Sequence, residues 1–175
     1  MIKKILIAAL LLVLLTQCNK EKEASINVTD IYQTDMSGTL MAGSFSDNQW
    51  KSMSFSEDEK KLFSIFDTVD LAGTKLPSIQ QVYYGYPNPF TNNFNLPVLL
   101  TEPLDDDLVV KYVVVDDKMK VMQKGCTRIY VSGTVINFLI NTQFRPGNYR
   151  VYFTYSAEGN PDFFTSWGNL QKSKY

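Results

Sequence analysis

The chain has 175 residues, of which 20% are charged, with 17 basic side chains against 18 acidic ones, two cysteines and no histidine. A balance so close to neutral offers none of the concentrated positive charge that a nucleic acid requires. Without imidazole, Ser-His-Asp, Cys-His and histidine-ligated zinc chemistries are excluded. Carboxylate chemistry, Lys or Tyr nucleophiles and oxygen-ligand metals remain open. The acids are scattered, and no pair stands in an apolar setting that would raise one pKa, so the expectation is a chain that binds without catalysing and uses no cofactor.

At the start, Lys3 and Lys4 precede an unbroken apolar run from Ile5 to Leu15. This is the pattern of a signal peptide over residues 1–17, because a helix of that run rises only about 16 Å and cannot cross a hydrocarbon core of about 30 Å. Leu15-Thr16-Gln17-Cys18 closes the run. These four residues resemble the lipobox of bacterial lipoproteins, with Gln17 where that pattern has Gly, Ala or Ser. The resemblance implies diacylglyceryl and N-acyl (palmitate-type) chains on Cys18, a lipid anchor in the membrane, and, with Asn19 in place of Asp behind the cysteine, a position at the cell outer membrane. If Cys18 carries lipid, Cys126 has no intramolecular disulfide partner, and it reads as a small buried hydrophobe. Residues 18–25, which contain Lys20-Glu21-Lys22-Glu23, form a charged tether.

Residues 26–77 read as an N-terminal region of short strands and turns, with Ile26, Val28, Ile31, Leu40, Met41, Phe45 and Trp50 among many polar residues. Asn27-Val28-Thr29 fits a glycosylation sequon. Ser56-Glu57-Asp58-Glu59 is a capping-box pattern and predicts a helix near 57–66, with Leu62, Phe63 and Phe66 on one face. Phe63 and Ile65 also alternate as in a strand. Asp67 and Asp70 suit turn or cap positions.

From residue 78 the pattern becomes β-branched and aromatic segments between turn residues, predicting strands near 79–84, 92–100, 108–115, 119–124, 127–131, 134–140, 148–156 and 162–170. Leu108, Val110, Tyr112 and Val114 give one apolar face with Lys111 on the other, as in a strand packed on one side and partly wet on the other. Tyr149, Val151, Phe153 and Tyr155 give a second apolar face. The prolines of Tyr86-Pro87-Asn88-Pro89-Phe90 favour extended neighbours, with Phe90 as a plug. Arg145-Pro146-Gly147-Asn148 suits a type II turn. The expected fold is mainly β, an antiparallel sandwich of immunoglobulin-like size over 78–175.

In its Tyr-Pro-Asn-Pro-Phe opening and its Pro-Gly-Asn-Tyr turn, the stretch from 85 to 156 resembles the immunoglobulin-like C-terminal sorting domains of type IX secretion substrates. Val114-Val115-Asp116-Asp117-Lys118-Met119-Lys120-Val121-Met122 corresponds to their middle hairpin, with Met119 where that family has glycine. What the resemblance implies here is the fold and an envelope setting.

Three constellations remain as candidate sites. Tyr83, Tyr84, Tyr86 and Trp167, with Tyr130 and Tyr152, could form an aromatic platform for a sugar or a protein. Asp105-Asp106-Asp107 and Asp116-Asp117 offer clustered oxygens for a cation such as Ca²⁺, but without the alternating spacing of a dedicated loop, so Asp105, Asp107, Asp116 and Asp117 read first as solvated turn residues. The expected function is a lipid-anchored envelope protein presenting a non-catalytic module to a protein partner. A carbohydrate-binding or adhesive module is the alternative, and a carboxylate glycosidase comes third.

Overall fold

The structure, a computed structural model, describes residues 25–43, 48–66, 78–157 and 160–174. The signal peptide, Cys18, most of the tether, Phe45, Asp67 and Asp70 lie outside the described residues. The elements in chain order are β1 (Tyr32–Thr34), β2 (Leu40–Gly43), α1 (Glu57–Lys61), β3 (Ile79–Val82), β4 (Asn93–Val115), β5 (Val121–Asn141), β6 (Gly147–Ala157) and β7 (Asn160–Lys172). The protein is mainly β, and every strand pairing is antiparallel.

The long hairpin β4–β5 organises the molecule. β5 runs along one edge of β4 for nearly its whole length, while β3 and then β6 share the other edge, with β7 outside β6. Between Leu99↔Val135 and Leu104↔Gly133 the register slips: β4 advances five residues while β5 advances two. Gly133 sits at that point with φ +115°, a conformation that glycine adopts without steric cost. A bulge of this kind bends a sheet sharply, and here the hairpin folds over on itself. Tyr112 and Phe138, from opposite halves, meet with ring centroids 6.0 Å apart.

Two layers result. Layer A holds β3 with β4 93–100 and β5 135–141; layer B holds the rest of β4 and β5 with β6 and β7. Phe94, Leu96, Val98 and Leu100 from A share one core with Leu108, Val110, Val114, Val151, Phe153, Phe164 and Leu170 from B. Burying each such side chain stabilises the fold by about 1.5–3 kcal/mol. The architecture is therefore sandwich-like, but both layers share β4 and β5, whereas an immunoglobulin sandwich is built from two separate sheets.

Eight short strands were expected from residue 79 onward; among the described residues one short strand, β3, and four long ones form. Asp105–Asp107 continues β4 where a turn was expected, because β5 supplies partners: Tyr130 Oη donates to Asp105 Oδ1 at 2.6 Å, and Arg128 Nη1 lies 3.5 Å from Asp107 Oδ2. Gly125 is a strand residue in β5, covered by the ring of Tyr112; a Cβ there would stand 2.3 Å from Tyr112 Cε1. The hairpin turn itself falls at Asp116–Lys120, where Asp116 Oδ1 accepts from Lys118 N and Lys120 N. Met119 takes φ +60° there, and its side chain packs against the cluster around Tyr152. β6 starts at Gly147 with φ +155°, well beyond the roughly +80° of a type II turn. Tyr149 Oη secures the reversal by donating to Arg145 O at 2.7 Å.

The N-terminal segment covers the outer face of layer B. Phe55 packs with Val113, Val115 and Tyr152, and Leu62, Phe63, Phe66 and Trp167 close around them. Lys111, expected on a partly wet face, is consequently buried. The capping box forms: Ser56 N donates to Glu59 Oε2 at 2.8 Å, and Glu59 N donates to Ser56 Oγ at 3.4 Å. The regular helix ends at Lys61 and turns carry the chain to residue 66, so it is shorter than expected. Phe90 is a buried plug, 4.9 Å from Phe94 between ring centroids. Asn88 beside it is fully buried, donating to Tyr32 O and Asn169 O and accepting from Gln171 N, so it ties β1 and β7 together.

Candidate functional site: the groove beside β3

Among the described residues β3 pairs with β4 alone, so its other edge is unpaired. The opposing wall is the segment around Trp50. Trp50 N donates to Trp167 O at 2.8 Å and Met53 N to Thr165 O at 3.0 Å, which extends layer B by one short irregular segment hydrogen-bonded outside β7. The edge of layer A and this extended edge of layer B are separated by a groove of about 520 Å³.

Trp50 sets the gap. Its indole is wedged between two glycines, one from each layer: a Cβ on Gly85 would stand 2.6 Å from Cη2, and a Cβ on Gly168 would stand 2.0 Å from Cε2. The residue is buried and has φ +56°. Tyr32 stacks on Tyr84 at 4.6 Å with planes 16° apart, and both rings line the groove with Trp50. Gln49 at the rim is held by donating to Asp30 O at 2.8 Å and accepting from Asn169 N at 2.7 Å. Lys51, Gln80 and Gln81 complete the polar rim, and the described lining contains no carboxylate. An aromatic floor beside an unpaired backbone edge suits an extended ligand that offers its own N–H and C=O groups.

Of the candidate platform, Tyr84 lies in the groove and the exposed Tyr83 borders it. Tyr86 and Trp167 do not. Tyr86 lies on the outer face of layer A, its Oη accepting from Asn137 Nδ2 at 3.0 Å. Trp167 lies on the outer face of layer B, with the Arg150 guanidinium 3.7 Å above its ring. That guanidinium also donates to Asn169 Oδ1 and Asn27 O, fastening the N-terminal segment to β6 and β7. Burial pushes the Tyr152 phenol up to about 12. Tyr130 is exposed, and its hydrogen bond to Asp105 raises its pKa.

The aspartates do not converge on a cation. Asp105 and Asp107 are engaged by Tyr130 and Arg128, Asp116 by turn amides, and Asp117 O accepts from Ile26 N. Among the described residues no group of three or more potential ligands clusters. Cys126 is exposed, contrary to the expectation of burial. It sits on β5, an edge strand in the described sheet, opposite Lys111.

Sequence reasoning missed Tyr32 and Trp50 as groove residues. The available signal was a tryptophan in the polar run Asn48-Gln49-Trp50-Lys51-Ser52, where no strand or helix pattern accounts for so large a ring. No protein-family model, no curated protein and no solved structure matches this chain.

Proposed function

We propose that the chain is a lipid-anchored protein of the cell envelope, held at the outer membrane through Cys18, and that it binds an extended segment of a protein partner in the groove beside β3 without catalysing a reaction. The observation that carries the reading is the one-sided pairing of β3 next to a groove floored by Tyr32, Trp50 and Tyr84. Addition of a strand to an open edge draws affinity from backbone hydrogen bonds and selectivity from the pockets beneath alternate side chains. The lining has the chemistry for both, and a carboxylate-free groove suits binding better than two-carboxylate hydrolysis.

The test is selection from a displayed library of extended peptides. Selected peptides should bind the wild-type chain and lose about tenfold or more in affinity on Tyr84→Ala. Gln80→Pro should weaken them similarly: Gln80 is exposed at the edge, and proline is accommodated on edge strands while blocking a further strand. Failure to enrich any peptide dependent on these two positions would sink the groove reading. Anchoring is tested separately by labelled-palmitate incorporation, which should disappear in Cys18→Ser.

A further inference from the structure

On the outer face of layer B, Cys126, Lys111, Thr154 and Thr165 stand opposite one another in register, one row across four strands. Lys111 is only 9% exposed, and among the described residues it has neither an ion pair nor a hydrogen bond. Thr154 beside it is 1% exposed, and its Oγ1 finds no partner among the described residues. A buried cation without a counter-charge and a buried hydroxyl without a partner are each costly. Here the two are neighbours.

They adjoin a cavity. A space of about 200 Å³ lies over Thr154 and Thr165, walled by Ser54, Phe55, Lys60 and Phe63 from the N-terminal cover. Side chains directly opposite in an antiparallel pair start about 5 Å apart at Cβ, a span that the four-carbon stem of lysine covers, so the Lys111 ammonium can reach the space above Thr154. The described lining contains no carboxylate, and the acids of α1 are engaged close to home: Glu57 with Lys60 at 2.7 Å, Asp58 with Lys61 at 2.7 Å and Glu59 with Ser56. The counter-charge that Lys111 lacks must therefore come from outside the described chain. Size limits it, since the cavity is smaller than the roughly 300–1,000 Å³ of sites for drug-sized ligands, yet at about 30 Å³ per water it holds the volume of roughly six waters.

We propose that this cavity binds a small oxyanion such as phosphate, with Lys111 as the principal cation, the exposed Lys60 closing the mouth, and the hydroxyls of Thr154 and Ser54 donating to its oxygens. The site shares no lining residue with the groove beside β3, so it goes beyond that reading and does not depend on it. The probe is inorganic phosphate, titrated calorimetrically into the full chain purified in detergent, with chloride replaced at constant ionic strength. One phosphate should bind per chain at millimolar concentration or below and should raise the melting temperature of the wild type.

Lys111→Met keeps the stem and removes the charge. Because an apolar side chain in place of an unpaired buried cation does not weaken a fold, this variant should melt no lower than the wild type without phosphate, yet lose about tenfold or more in phosphate affinity. Thr154→Val should lower the affinity about threefold or more. Lys120→Met, which removes an exposed lysine from the hairpin turn, should leave it unchanged. The inference is overturned if phosphate at about 10 mM gives no heat and no thermal shift beyond those of chloride, or if Lys111→Met binds as the wild type does. It is overturned equally if Lys120→Met loses as much affinity as Lys111→Met, since the anion would then be responding to net charge.

Discussion

Layers A and B are built from the same two strands, yet the part of B formed by β4, β6 and β7 is buried on both faces and A on one. The difference is written along β4. Its first half, Asn93-Phe94-Asn95-Leu96, alternates polar and apolar residues, while Leu108-Val109-Val110 and Val113-Val114-Val115 leave no polar side to face water. A strand of the second kind requires a cover, and Ile26, Phe55, Leu62, Phe63 and Phe66 provide it around Val113 and Val115. Lys111 is buried in the covered half of β4, on the same strand face as Val113 and Val115, which the N-terminal segment packs against.

The comparison can be broken most forcefully at the cover. Phe55 stacks on Phe63 at 5.4 Å and meets Tyr152 edge-on at 5.5 Å, so Phe55→Ala should cost about 3–5 kcal/mol in denaturant unfolding. A loss below about 1 kcal/mol would mean that layer B does not depend on its cover. A gain is expected inside the shared core. The Tyr155 hydroxyl is fully buried without a hydrogen-bond partner among the described residues, and Tyr155→Phe should stabilise the protein by about 1–3 kcal/mol.

The same substitution has a pH signature. Burial raises the Tyr155 phenol well above its usual value, so the unfolded chain ionises first, near pH 10, and stability falls as pH rises beyond that point. Tyr152, pushed up to about 12, extends the loss from about pH 10 to about 12. Tyr155→Phe should flatten the alkaline limb without changing stability between pH 6 and 8 relative to its own plateau, as read from melting curves across pH.

Smaller effects sharpen the contrast. Ser56→Ala removes the reciprocal cap of α1 and should cost about 1 kcal/mol by thermal melting. Leu139→Ser on the open face should lie within about 0.5 kcal/mol of wild type. A large loss there would show that layer A is covered as well.

Features fixed over a few neighbouring residues were legible in the sequence: the capping box at Ser56, the Phe90 plug, and the inward face of Tyr149, Val151, Phe153 and Tyr155. Features that depend on distant partners were not. Three consecutive aspartates signal a turn until Tyr130, 25 residues beyond Asp105, captures one of them in a ladder. Cys126 follows the same logic: it is exposed on β5, which among the described residues has β4 alone as a neighbour, a matter of topology that local composition does not contain. Of the aromatic platform, alternation along 82–84 suffices to send Tyr83 outward and Tyr84 inward. The pairing of Tyr84 with Tyr32, and the seat of Trp50 on Gly85 and Gly168, arise only on folding.

The clamp at Asn169 has a temporal consequence. Its side chain donates to Asn27 O across 142 positions, and its backbone N–H donates to Gln49 across 120. A polypeptide is made from its amino end, so the cover of layer B has no seat until almost the last strand has been delivered. The β4–β5 ribbon can zip from its own tight turn long before that. Until β7 arrives, the early aromatic residues Trp50, Phe55 and Phe63 remain without their full set of final neighbours, so the cover closes only after the ribbon it sits on.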